Sequence, residues 1–156
     1  YIPPKKGRSH VLRLIRELIE FEPKSHKTDI AQALKFLSST QKKKAIVFMI
    51  SDFMCENYEQ TLKIASKKHD ITGIRVYDIR EEKMPNLGMV TMLDAETGRT
   101  QLINTGSKTV RMNYEKHYQD KVNYFKETFR KSGSGVVNTR VDESYVTKLL
   151  SYFKSR

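Results

Sequence analysis

Tryptophan is absent from this 156-residue sequence, cysteine occurs once, and there are only four prolines and seven glycines. The lone Cys55 excludes an internal disulfide, and with it the stapled architecture of small secreted domains. It fits a reducing compartment, so a cytoplasmic location is expected. No apolar run approaches the roughly 18 residues that span a bilayer, and no membrane partner is expected. The opening Tyr1-Ile2-Pro3-Pro4 has neither a starting Met nor a charged-then-apolar leader, and it reads as the start of a fragment. Histidine is scarce and scattered: His10, His26, His69 and His117 lie singly, without metal-ligand spacing. His26, beside Lys27-Thr28, reads as a loop residue. Cys55 has no activating partner evident in the sequence and reads as a small packing group.

Acidic residues are the minority, 18 against 29 Lys and Arg, for a formal net charge of +11. That balance favours phosphate polymers or an acidic protein surface, but charge alone selects neither. The cations fall in short clusters, Lys5-Lys6-Gly7-Arg8, Lys42-Lys43-Lys44 and Lys67-Lys68. No RNA-binding aromatic signature, zinc spacing or basic zipper accompanies them. They read as solvated faces and loop tips, and nucleic acid is not the expected partner. With 38% apolar and 30% charged residues, the chain has enough apolar material for one core. A single α/β domain over residues 1–156 is expected.

The apolar pattern alternates between two periods. Val11, Leu12, Leu14, Ile15, Leu18 and Ile19 form a helical stripe over about 8–21, predicting one buried face. Ile30, Ala33, Leu34 and Leu37 repeat the spacing over about 29–39, with Thr28 or Asp29 as the cap. Ala45 to Ile50 is continuously apolar and closed by Ser51-Asp52, as expected of a central parallel strand. Tyr58, Leu62 and Ala65 suit a helix ending at Lys67-Lys68-His69. The run Ile71 to Asp78 predicts a second strand beside the first. Met89–Leu93 and Thr100–Asn104 flank Asp94-Ala95-Glu96-Thr97-Gly98 and predict a hairpin. Tyr114, Tyr118, Val122, Phe125 and Phe129 mark a long helix with a core-facing aromatic stripe. It stops before Ser132-Gly133. Gly135 to Val141 predicts a last strand, followed by a helix capped at Asp142 and buried through Val146, Leu149, Leu150 and Phe153. Strands separated by helices argue for a doubly wound, mostly parallel sheet with an added hairpin.

Function in such sheets gathers at the C-terminal ends of the strands. Asp52 and Asp78 are placed there. Asp52 could ligate a hard cation such as Mg²⁺, with Thr28 supplying a hydroxyl from a neighbouring loop. The competing reading is structural: Ser51-Asp52 caps the next helix, and Thr28 caps its own. A third possibility is a metal-dependent phosphoesterase or nuclease using Asp52 and Asp78, with lysines drawing in phosphate, although no committed nucleophile or base accompanies them. Charge-driven nucleic-acid binding is a further alternative.

Linked motifs across nearly the whole chain resemble the MoxR-associated proteins of domain-of-unknown-function family 58. They are Lys27 to Leu34, Ile50-Ser51-Asp52-Phe53, Arg75 to Glu81, Pro85-Asn86-Leu87-Gly88 with Asp94 to Gly98, and Asp142 to Val146 with Phe153-Lys154-Ser155-Arg156. The resemblance implies a von Willebrand factor A-like, Rossmann-like fold and a metal-ion-dependent adhesion site in three pieces. These are Asp-x-Ser-x-Ser, a Thr and an Asp. Thr28 matches the second piece and Asp52 the third, while no Asp-x-Ser-x-Ser lies upstream of Thr28. The opening tetrapeptide resembles the end of the family's second strand, so the chain is expected to begin after the first strand, its helix and most of the second. The resemblance further implies a non-catalytic adaptor that works with a MoxR-type AAA+ ATPase, and Mg²⁺ as a cofactor of the full-length protein. With Thr28 and Asp52 alone, no Mg²⁺ site is expected in this chain. A missing early strand would also leave an unpaired sheet edge, which invites self-association.

Overall fold

The computed structural model describes residues 1–23, 27–94 and 98–155. The elements run α1 (Arg8–Glu20), α2 (Ile30–Thr40), β1 (Ile46–Ser51), α3 (Glu59–Ser66), β2 (Asp70–Tyr77), β3 (Met89–Leu93), β4 (Thr100–Asn104), α4 (Lys108–Lys131), β5 (Gly135–Arg140) and α5 (Tyr145–Lys154). A single 3-10 turn, Ile79–Glu81, follows β2. One parallel sheet has the order β1-β2-β5, and β3 pairs antiparallel with β4 as a separate hairpin. The alternation expected from the sequence is therefore realised as a mixed α/β fold, with the predicted neighbours β1 and β2 paired in parallel.

Adjacent residues of β2 show how helices cover the sheet. Successive side chains of a strand point to opposite faces. The Thr72 hydroxyl lies 3.0 Å from the Tyr152 hydroxyl of α5. A Cβ on Gly73 would stand 2.6 Å from Phe129 and 2.8 Å from Phe125 of α4. Helices α4 and α5 thus lie on opposite faces, and only glycine permits the close approach of α4. The core fills the α4 side: Phe53, Tyr58, Leu62, Ala65, Ile71, Phe125 and Phe129 join Ile30 and Leu34 of α2. Phe53 stacks on Phe125 at 4.1 Å between ring centroids and meets Phe129 edge-on at 5.3 Å. Each such ring contributes about 1.5–3 kcal/mol by leaving water. The aromatic stripe of α4 faces the core as its spacing predicted, and Cys55 is half-buried against the same cluster.

Four expectations are corrected. Helix α1 forms, but none of its residues is buried, and Val11, Leu12, Leu18 and Ile19 are exposed. Its amphipathic face has nothing to cover it among the described residues. Strand β1, expected to be central, lies at the edge of the described sheet, because among the described residues β2 is its only strand partner. The cap of α5 is Ser144, whose Oγ accepts the Thr147 amide at 3.4 Å, whereas Asp142 pairs with Arg140. Nor is α5 buried by its stripe: Val146, Leu150 and Phe153 stay exposed. The hairpin stands as expected, with Gly98 at φ 68° donating its amide to Asp94 at 2.8 Å. Residues 95–97 of the expected turn lie outside the described residues. Buried Thr105 ties the hairpin down by accepting the Leu87 amide at 2.9 Å and donating to the Gly88 carbonyl at 2.8 Å. Among the described residues, no helix is long and apolar enough to cross a membrane.

His69, between α3 and β2, is 2% exposed, and neither ring nitrogen has a hydrogen-bond partner among the described residues. Burial, reinforced by Lys68, lowers its pKa from the ordinary 6.5. A lowered folded-state pKa means that the unfolded chain binds the proton first, so stability falls with acidification. Thermal unfolding should show a loss beginning near pH 6.5 and continuing downward through the folded-state pKa, and His69→Gln should flatten that slope. An unchanged slope in the variant would contradict this assignment.

Candidate functional site

The C-terminal end of β1 is shaped by one unusual turn. Phe53 adopts φ 57°, a left-handed conformation that bulky side chains rarely enter. Burial holds it there: Phe53 is 0% exposed and stacked in the aromatic core. Reversing the chain at this point sends Phe53 inward and leaves Asp52 exposed at the rim. The Ser51 Oγ accepts the Phe53 amide at 3.1 Å, and Asp52 Oδ1 accepts the Met54 amide and the Ser51 hydroxyl, each at 3.2 Å. Asp52 therefore closes a local turn. It does not cap the next helix, since α3 begins only at Glu59.

The segment before α2 approaches the same rim. Asp29 is the N-cap of α2, its Oδ1 accepting the Gln32 amide at 2.8 Å. The cap role left open between Thr28 and Asp29 falls to Asp29. Thr28 and Ser51 line one groove of about 380 Å³, floored by Ile30, Ala33, Leu34 and Leu37 of α2 and by Val47 to Ile50 of β1. The groove runs along the open edge of β1 and is apolar except at its rim. Asp52 adjoins Ser51 there.

The remaining acids at the strand ends are engaged. Asp78 accepts the Arg80 amide at 2.9 Å and caps the 3-10 turn. Asp142 receives two hydrogen bonds from Arg140, at 2.8 and 3.0 Å, which hold its carboxyl below the usual range. Between them lies a feature the sequence reading missed. Arg75 of β2 is 2% exposed, stacks 4.2 Å from the Tyr77 ring centroid and donates to the Tyr118 hydroxyl. A cation between Ile74 and Val76 near the end of a mostly buried strand was the available signal. His26 lies outside the described residues.

These groups do not fit a firmly held Mg²⁺. Thr28, Ser51 and Asp52 offer two hydroxyls and one carboxylate, and Asp52 Oδ1 is already used twice. Mg²⁺ requires near-octahedral oxygen ligation. Among the described residues, no three His, Cys, Asp or Glu side chains gather into a metal-holding group. Calorimetric titration of this chain with Mg²⁺ should therefore show no saturable micromolar binding. Micromolar binding that disappears in Asp52→Asn would contradict this reading of the rim.

Comparison with known proteins places these features in context. The family model described as "Protein of unknown function DUF58" matches residues 1–124. An uncharacterized protein of Mycobacterium avium is 25% identical over 99% of this chain and 93% of its own length. Uncharacterized proteins of Mycobacterium bovis and Mycobacterium tuberculosis are 23% identical over 99% of this chain, which spans 50% of their length. Among solved structures, the conserved hypothetical protein BatB from Bacteroides thetaiotaomicron aligns with a TM-score of 0.48 and 16% identity, covering 94% of this chain and 68% of that one.

Proposed function

We propose, from the premise that this chain belongs to the family of proteins of unknown function DUF58, that it is a non-catalytic protein-binding module of von Willebrand factor A type. In this reading it is an adaptor for a MoxR-type AAA+ ATPase. The recognition surface is the rim where β1 ends, and the residues that carry it are Thr28, Ser51 and Asp52. Further anionic ligands from outside this chain would complete a metal-ion-dependent adhesion site, whose Mg²⁺ would hold a carboxylate of the partner. What supports the reading is one observation: Thr28 and Ser51, far apart in sequence, line the same groove, with Asp52 next to Ser51. By the family resemblance, Thr28 matches the second piece of the adhesion motif and Asp52 the third.

A rim of this kind recognises without needing a nucleophile. Its hydroxyls and carboxylate lie on a rigid parallel sheet beside an apolar groove, so a partner segment can combine polar anchoring with apolar burial. Partner-binding groups carried by loops on a fixed scaffold are a common arrangement. In Mg²⁺, binding of a purified MoxR-type ATPase to the immobilised full-length protein should be saturable and weaken by about tenfold or more in Thr28→Ala and in Asp52→Ala. The absence of binding, or binding indifferent to both substitutions, would overturn the proposal.

A further inference from the structure

At the end of the sheet opposite the rim, two of the cation clusters in the sequence meet. Lys44 leads into β1 and Lys67-Lys68 leave α3, and all three border one recess of about 300 Å³ together with His69, Asp70 and the turn that follows α4. The recess is built around the start of β2, which has a strand on each side. Part of its charge has a structural use. Lysines after α3 meet the negative end of the helix dipole, and Lys68 Nζ donates to the Gln41 carbonyl at 2.7 Å, tying the end of α2 to that of α3. Lys44 and Lys67 are exposed, and none of the three lysines forms an ion pair among the described residues. Three ammonium groups thus share the recess with a single carboxylate residue, Asp70.

His69 points independently to a ligand. Its residue lines the recess and is 2% exposed, and neither ring nitrogen has a hydrogen-bond partner among the described residues. Left as it is, the imidazole is penalised in both forms: neutral, it leaves a buried donor and acceptor unmade; protonated, it adds one more positive charge beside the lysines. An anion in the recess supplies the missing countercharge. The charges also select the class of anion. A terminal phosphate carries about −1.5 to −2 charge at neutral pH and offers three acceptor oxygens, whereas each phosphate within a nucleic-acid backbone carries a single charge and continues into chain on both sides. Lysines hold phosphate as point charges, and a recess enclosed by a helix end, a strand start and a turn suits a group that terminates there.

We propose that this recess binds a terminal phosphate, as inorganic phosphate or a small phosphomonoester, through Lys44, Lys67 and Lys68, and that His69 takes up a proton from solvent as the anion arrives. The inference does not depend on the ATPase reading, which uses the other end of the sheet. Calorimetric titration of the full-length protein with inorganic phosphate should show saturable binding, weakened by about tenfold or more in Lys44→Glu and in Lys67→Glu. Lys108→Glu, the same charge change at the far end of α4, should alter affinity by less than about twofold. Glycerol phosphate should compete for the site, and a single-stranded oligonucleotide without a terminal phosphate should not. The charged groups that share the recess with His69 are Lys44, Lys67, Lys68 and Asp70. Sulfate keeps its charge across the range in which histidine titrates, so its affinity should rise from about pH 7.5 to about pH 5.5, and that rise should disappear in His69→Gln. Absence of saturable phosphate binding, an equal loss in Lys108→Glu, or displacement by the oligonucleotide would overturn the site. Sulfate binding without the rise, or a rise that survives in His69→Gln, would overturn the role of His69.

Discussion

The structure depends on a one-sided strand. Among the described residues β1 is hydrogen-bonded to β2 and to no other strand, so its inner edge is fixed by the sheet while its outer edge is open. A buried strand of this composition ordinarily has neighbours on both sides. Here half of its apolar surface contributes nothing to the core, which leans instead on β2 and on the aromatic face of α4. The exposed stripe of α1 and the uncovered face of α5 belong to the same pattern.

The rim inherits its shape from the same strand. The buried Phe53 ring offsets the cost of a left-handed backbone, about 1–3 kcal/mol for such a conformation. That inward anchor lets Asp52 stand outward beside Ser51. On the other side of the groove, capping of α2 by Asp29 leaves Thr28 at the mouth rather than in the helix. Two local solutions to backbone hydrogen bonding, one turn and one cap, therefore bring three polar groups from distant stretches of sequence to one place.

Much of this fold was legible from periodicity. The 3.6-residue repeat of Tyr118, Val122, Phe125 and Phe129 identified both α4 and its buried face, because a helix that long has one way to hide four large side chains. The hairpin was equally plain from two β-rich runs around an Asp-to-Gly turn. Burial was less legible. Val11 to Ile19 and Val146 to Phe153 have the pattern of buried helices, yet pattern records only which residues could share a face, not whether anything packs against it. Edge and centre likewise look alike along β1, since an apolar run says nothing about neighbours outside the described strands. The caps shifted for a similar reason. Asp142 and Ser144 are equally good caps by type, but Arg140 takes the Asp142 carboxylate and the helix starts at Tyr145, so Ser144 takes the role. Arg75 escaped notice because a buried guanidinium can be held by tyrosine rings without a carboxylate in the sequence to signal it.

The one-sidedness of β1 is tested most directly by residue-resolved hydrogen exchange. The amides of Val47 and Met49, which face β2, should be protected, whereas those of Ile46, Phe48 and Ile50 should exchange rapidly. Uniform protection from Ile46 to Ile50 would mean that another part of the chain covers the edge, contradicting the open strand that borders the groove.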